Sequence, residues 1–365
     1  MFQFLHGADF HLDSPFSALP PEQAAQRRRE SRAMVGRLAD YVNARNIPLV
    51  LLAGDLLDSG SVYRDTAEQL SAALGRMNAQ VYIAPGNHDF YVPGGLWDTV
   101  AWPDNVHIFR SGHMEAMEVP GLGAVVHGAA FTAPEQADSL LTGFSAPADG
   151  RVHLGLLHGE AEPSVRRYDP IAKEEIAASG LAYLALGHIH KRAQPQRCGR
   201  TLYAWPGCPE GRGFDETGEK GVLCGTVSGD GGVTLEFVPV ARRRYEYLTV
   251  DVTGQEVFKA VEQALPGGTE NDLYRLVLTG ETGSAGVDVR ALEASLAGRF
   301  YALEVRDETR MAEDVWARAG EESLRGLFLR TLREKLDAAP DDEARRRITL
   351  AARLGLAALD HRELE

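Results

Sequence analysis

The segment PLVLLAGDLLD at residues 48–58 carries the fold in miniature. Pro48 to Ala53 is an unbroken apolar run of strand length, as expected for a strand buried on both faces, and it ends at once on the polar pair Gly54-Asp55. The first two-thirds of the chain repeats this construction: a short β-rich apolar run, a polar closure, then a longer helical stretch. Phe2 to His6 runs into Asp9 and His11, Gln80 to Ala84 into Gly86-Asn87-His88-Asp89, Val152 to Leu157 into His158, and Tyr183 to Leu186 into Gly187-His188-Ile189-His190. Val106 to Phe109 and Ala124 to Val126 are further runs of the same kind. Ala24 to Asn46, with Met34, Val35, Leu38, Tyr41 and Val42 at helical spacing, and Thr66 to Met77 read as helices. The expectation is a layered α/β fold, with sheets sandwiched by helices.

The texture changes near Arg242 to Arg244, which reads as a domain boundary. From Tyr245 to about Val305 the pattern is strand, helix, strand, helix, strand, a small α+β domain. Leu324, Phe328, Leu332 and Leu336 then recur every fourth residue, and Ile348, Ala352, Leu356 and Leu359 do much the same after Pro340-Asp341-Asp342. Two helices joined by a turn follow from that. The resulting division is residues 1–241, 242–310 and 311–365. No internal repeat is visible.

The chain of 365 residues, 44% hydrophobic and 25% charged, has ordinary globular usage. No apolar run approaches the roughly 18 residues of a membrane helix, and MFQFLHGADFHLD carries acid and histidine where a signal peptide would be basic and then apolar. The expectation is a cytoplasmic protein with no membrane partner. Cys198, Cys208 and Cys224 are odd in number and lack CxxC spacing, which indicates neither a disulfide framework nor a cysteine zinc site. A net charge of −14 argues against a chain that grips nucleic acid over its whole surface. Polyanion binding would have to be local or shared.

The polar closures hold five of the eleven histidines and several acids. In α/β sheets the loops at the carboxyl ends of the strands meet in one crevice, so ligands scattered through the sequence can converge there. Imidazoles, carboxylates and one amide oxygen, without thiolate, suit Mn, Fe, Zn or Co better than copper(I) or iron–sulfur, and so many imidazoles disfavour a simple Mg or Ca site. Seven candidates, Asp9, His11, Asp55, Asn87, His158, His188 and His190, are too many for one tetrahedral ion. Two ions sharing a carboxylate would use them all. Such pairs activate water for in-line displacement at phosphorus.

Taken in order, D-x-H, GD, GNHD, a lone His-Gly and GHIH resemble the calcineurin-like metallophosphoesterase superfamily over about the first 240 residues. HGADFHLDSPF (6–16) and TLYAWPGCPEGRGFDETGEKGV (201–222) resemble its bacterial SbcD-like DNA-repair exonuclease branch. The resemblance implies a layered β-sandwich flanked by helices, a small α+β capping domain and C-terminal helices. It also implies one metal held by Asp9, His11, Asp55 and His190 and a second by Asp55, Asn87, His158 and His188, with Asp55 bridging. His88 would act on the phosphate and protonate the leaving oxygen, with Asp89 as its orienting partner. The activity implied is phosphodiester hydrolysis by metal-activated water, with two divalent ions, manganese first and Fe, Zn, Co or Mg as alternatives. DNA is the implied substrate and an SMC-like coiled-coil ATPase of the SbcC type the implied partner; a homodimer is compatible with the sequence. Cys208 stands where the family usually has Ser, and Phe90 follows GNHD where another residue often does.

Bland readings apply to the remaining features. Asp13 and Asp58 read as turn or capping residues, His6 as structural, and His153 as core. His107, His113, His127 and His361 stand in no motif. Arg27 to Arg29, Arg242 to Arg244 and Arg345 to Arg347 read as solvated surface before DNA contacts. The C-terminal leucine stripes could pack on the body or meet the ATPase. A small nucleotide or generic phosphodiester as substrate, and a non-catalytic scaffold for the ATPase, are the rival functions.

Overall fold

In the computed structural model, which describes residues 1–58, 63–163, 165–283, 286–311 and 315–359, the chain divides into two units. The larger comprises Met1–Leu248, Pro266–Leu276 and Leu296–Glu304; the smaller comprises Thr249–Leu265, Val277–Ser295 and the described residues from Val305 onward. His361 lies outside the described residues. The larger unit begins with β1 (Phe2–Gly7), α1 (Pro21–Arg45), β2 (Leu49–Leu52), α2 (Arg64–Gly75), β3 (Gln80–Ile83), α3 (Leu96–Thr99) and β4 (Val106–Ile108). It continues with β5 (Glu115–Val119), β6 (Ala124–Gly128), β7 (Val152–His158), β8 (Glu160–Ala161), β9 (Pro170–Ile171), α4 (Lys173–Ala178) and β10 (Tyr183–Gly187). β11 (Gln196–Cys198), β12 (Thr201–Ala204), β13 (Gly221–Val227) and β14 (Val233–Pro239) follow.

Two six-stranded sheets result, ordered β14-β13-β1-β2-β3-β4 and β11-β12-β10-β7-β6-β5. Alternation along the strands builds the layers. Leu49 and Leu51 of β2 and Phe4 of β1 join Leu154 and Leu156 of β7 and Tyr183 and Ala185 of β10 in a core between the sheets. Leu5, Val50 and Leu52 point the other way, against Met34, Val35, Leu38 and Val42 of α1 and Leu70 and Leu74 of α2. Leu157, Leu184 and Leu186 pack with Ile176 of α4 on the outer face of the second sheet. The architecture is a β-sandwich flanked by helices, and each fully buried Leu or Val contributes roughly 1.5–3 kcal/mol.

The parallel strands at the centre of each sheet are the ones read from apolar runs. The antiparallel strands β5, β11, β13 and β14 at and near the sheet edges were not expected. The edge strand β14 is half-covered and has only one buried residue, so it lacks the continuous apolar run; β13 is buried at six of its seven positions, but Gly221, Gly225 and Thr226 interrupt its run. After Arg244 the chain forms β15 (Tyr245–Asp251), α5 (Val257–Ala264), β16 (Leu273–Thr279), β17 (Glu281–Thr282), α6 (Val289–Ser295), β18 (Ala302–Asp307) and β19 (Arg310–Met311). β15, β16 and β18 make a three-stranded sheet. α7 (Leu324–Asp337) and α8 (Asp342–Leu359) close on Leu329, Ala352 and Leu356.

Two of the arginine runs each hold one buried member, while Arg29, Arg242 and Arg244 are exposed as expected. Arg27 is fully buried, donating to Glu30 at 3.0 Å, Glu210 at 3.0 Å and the Gly211 carbonyl at 3.0 Å. Arg243 is also buried, donates to Glu30 through Nε and Nη2 at 2.9 and 2.7 Å, and lies 3.6 Å above the Tyr301 ring. Burial pushes the Glu30 carboxyl up, but hydrogen bonds from Arg243, Arg27 and Gln26 outweigh it and bring it down from 4.5 to about 2. Glu30→Ala leaves two guanidiniums short of an anion, and urea unfolding near neutral pH should show a loss of about 3–5 kcal/mol. Because the folded value lies below the unfolded one, the Glu30 contribution is complete above pH 4.5 and disappears as pH falls toward about 2, so the deficit of the variant should shrink across that window.

Candidate metal centre

The motifs meet because their strands end together. Gly7, Leu52 and Ile83 are in register at the ends of β1, β2 and β3, and His158 pairs with Gly187 at the ends of β7 and β10. The loops then bond to one another: Asp9 N–H donates to the Gly54 carbonyl at 3.0 Å, His11 N–H to the Asp55 carbonyl at 2.9 Å, and His188 N–H to Asp9 Oδ1 at 3.0 Å. Gly187 lets the two sheets close here, since a Cβ would lie 1.8 Å from the Ala53 carbonyl oxygen.

Four of the seven candidate ligands sit in left-handed backbone: Asp9 at φ 56°, His11 at 42°, Asp55 at 52° and His188 at 88°. Such conformations cost roughly 1–3 kcal/mol each for a residue with a side chain, and they collect at functional sites. Hydrogen bonds hold them. Asp55 Oδ1 accepts from His88 N–H at 2.8 Å. The carboxylate of Asp89, 7% exposed, accepts from the backbone N–H groups of Gly86, Leu56, Asp55 and Leu57 at 2.7, 2.7, 3.2 and 3.2 Å.

Ligand atoms of Asp9, His11, Asp55 and His190 all lie within 4.8 Å of one another. His11 Nε2 and His190 Nε2 face each other at 3.1 Å, and His11 Nε2 is 3.6 Å from Asp55 Oδ2. Beside them, Asn87 Oδ1 is 2.9 Å from His158 Nε2 and 3.1 Å from His188 Nδ1, while His158 Nε2 is 3.4 Å from Asp55 Oδ2. Asp55 Oδ2 is therefore close to both groups. The donor set fits divalent cations on three counts. Asp9 Oδ2 is buried with no protein hydrogen-bond partner. Burial pushes the Asp9 carboxyl well above its ordinary range, with the Asp55 charge adding to it, and pushes Asp55 up to about 6; a cation would offset both. Burial also pushes His11 well down and His158 and His188 down to about 3, which leaves neutral imidazoles with lone pairs to give.

Three of the four imidazoles are braced at their other nitrogen, while His11 Nδ1 is buried with no protein hydrogen-bond partner. His158 Nδ1 lies 2.8 Å from the Ala53 carbonyl, which can only accept, so the proton is on Nδ1 and Nε2 is free. His188 Nε2 is 2.9 Å from Glu160 Oε1, and His190 Nδ1 is 2.8 Å from Glu216 Oε1. Such partners orient ligands and raise their basicity. Neither acid stood out in the sequence, because both lie in segments read without regard to the faces they present.

Two expectations about the acids change. Asp89 does not orient His88; its oxygens are taken by the four amides, for which an acceptor with several lone pairs is needed. The side chain on His88 Nδ1 is Asp58, at 3.2 Å, and this hydrogen bond raises His88 above its ordinary value while lowering Asp58. Asp58 is thus a histidine partner. Ligand atoms of His11, Asp58 and His88 also lie within 4.8 Å of one another. Asp13 bonds Arg32 and the Tyr63 N–H at 3.1 Å, away from the ligand groups. His6 bonds Tyr183 Oη at 2.8 Å. His153 links His127 at 2.9 Å to Asp149 at 2.9 Å.

Comparison with known proteins agrees with this geometry. The family model described as calcineurin-like phosphoesterase matches residues 2–192. A Bacillus subtilis (strain 168) protein named uncharacterized metallophosphoesterase YhaO is 33% identical over 273 residues, 71% of this chain and 65% of its own length. The chain thus spans just under two-thirds of that relative. The DNA double-strand break repair protein Mre11 of Aeropyrum pernix is 28% identical over 285 residues, 73% of this chain and 68% of its own. With more than half of its residues matched and its acids and imidazoles gathered at the strand ends, the chain belongs to the calcineurin-like phosphoesterase family.

Proposed function

We propose that the chain is a two-metal phosphodiesterase acting on DNA, the nuclease subunit of a repair complex. The observation that carries this reading is the position of Asp55 Oδ2, 3.6 Å from His11 Nε2 on one side and 3.4 Å from His158 Nε2 on the other. A carboxylate in that position suits the bridge between one cation on Asp9, His11, Asp55 and His190 and a second on Asp55, Asn87, His158 and His188. Manganese is the ion we favour. When bound, such a pair polarises the phosphoryl oxygens and acidifies water for in-line attack.

The remaining work falls to the chain. His88 is 43% exposed at its side chain, so a phosphodiester can reach it, and Asp58 favours its protonated form through the bond to Nδ1. Nε2–H is then the atom that gives its proton to the leaving oxygen. Asp89 fixes the loops that carry Asp55 and Asn87 and takes no part in the chemistry. The DNA assignment is supported by the relative named as a double-strand break repair protein and by the SbcD-like segments. A coiled-coil ATPase partner is supported by Leu324 and Leu327 of α7 and Leu350 and Leu354 of α8, which are 69, 57, 54 and 45% exposed. No helix among the described residues is long and apolar enough to cross a membrane.

Hydrolysis of linear DNA and of a small chromogenic phosphodiester, each with and without Mn²⁺, tests the substrate. Manganese-dependent cleavage of DNA is expected; activity on the small ester alone defeats the DNA assignment. His88→Ala should lower turnover by about 10²–10⁴-fold while calorimetry shows Mn²⁺ binding retained. Asp55→Ala should lose activity and Mn²⁺ stoichiometry together, and unchanged metal content would remove the bridge.

A further inference from the structure

Glu216 lies beyond the residues that the family model matches, which end at 192, and belongs to none of the ligand motifs. Its side chain is 5% exposed, and its Oε1 lies 2.8 Å from His190 Nδ1. Arg212 Nη2 lies 2.8 Å from the same Nδ1 and 2.7 Å from the same Oε1. Arg212 Nε reaches Oε1 and Oε2 at 3.3 Å each, and its backbone N–H donates to Oε2 at 2.8 Å.

A guanidinium only donates and a carboxylate only accepts, so His190 Nδ1 cannot satisfy both neighbours. With a proton on Nδ1, the imidazole donates to Glu216 and its Nε2 keeps a lone pair toward His11 and Asp9. With Nδ1 bare, it accepts from Arg212, and Nε2 carries a proton into the 3.1 Å gap before His11 Nε2, where it would exclude a cation. The two neighbours therefore favour opposite tautomers.

We propose that Glu216 is a positioning residue that wins His190 Nδ1 from Arg212, selects the Nδ1–H tautomer and so keeps Nε2 open to a divalent cation. Its carboxylate does this while also engaging the competing guanidinium through three contacts to Nε and Nη2. The inference rests on His190 being a metal ligand, as proposed above.

The test is calorimetric Mn²⁺ titration of the chelator-stripped full chain, with ring ¹⁵N spectra of its histidines. In the parent, His190 should show the Nδ1–H tautomer; the Nε2–H form overturns the proposal, whatever the variants do. Glu216→Ala should weaken Mn²⁺ binding about 10–100-fold, and Glu216→Ala with Arg212→Ala should recover much of that loss, because the competing donor has gone. Glu216→Gln, whose amide oxygen still accepts from Nδ1–H, should bind more tightly than Glu216→Ala. Parent-like binding in Glu216→Ala, or a double variant no better than the single, overturns the proposal; a merely structural role gives the latter result. His190→Ala separates the two claims. Unchanged binding in His190→Ala removes the ligand reading itself, whereas weakened binding there with parent-like binding in Glu216→Ala removes only the role of Glu216.

Discussion

The carboxylate of Asp89, accepting backbone N–H bonds from Gly86, Asp55, Leu56 and Leu57, is the interaction on which the rest of the centre depends. It ties the loop after β2 to the loop after β3. Without an acceptor there, four amides would be buried without partners, each costing roughly 1–3 kcal/mol. Asp55 could not then hold its left-handed backbone at φ 52°, and its Oδ2 would no longer lie between the two groups of donors. Trp97 completes the anchor, its indole N–H donating to the Asp89 carbonyl. Burial and the neighbouring Asp55 push the Asp89 carboxyl up, against the pull of the amides.

Strain and its compensation run through the whole site. Asp9, His11, Asp55 and His188 occupy backbone conformations that ordinary residues avoid, and each is held by bonds to a neighbouring loop. The same economy appears away from the site, where Glu30 and Glu210 balance Arg27 and Arg243 in the interior. Both arrangements take charged or strained groups that would be costly alone and make them mutually dependent. Rigid placement of donors follows, and rigid placement is what a cation pair needs from a protein.

The parallel centre of the fold was legible in the sequence because buried parallel strands are continuous apolar runs. Leu49 to Leu52 is wholly buried, and its alternate side chains serve two different cores. The edge strand β14 does not read as a continuous apolar run, since Val233, Leu235 and Phe237 face the core while Thr234 and Glu236 between them are exposed. At the site, the donors could be read from motifs at strand ends, where spacing and order carry information. Their partners could not. Asp58 is thirty residues from His88 and Glu216 twenty-six from His190, and nothing in the sequence tells which acid will face which ring. Arg27 and Arg243 were misread for a related reason: a run of arginines looks solvated until the distant Glu30 and Glu210 are brought beside it.

Anomalous diffraction at the manganese edge, from crystals of the full chain grown with Mn²⁺, tests the central claim most directly. Two peaks about 3.5–4 Å apart are expected, both within bonding distance of Asp55, one also reached by Asp9, His11 and His190 and the other by Asn87, His158 and His188. A single peak, or a pair that shares no oxygen of Asp55, would contradict it.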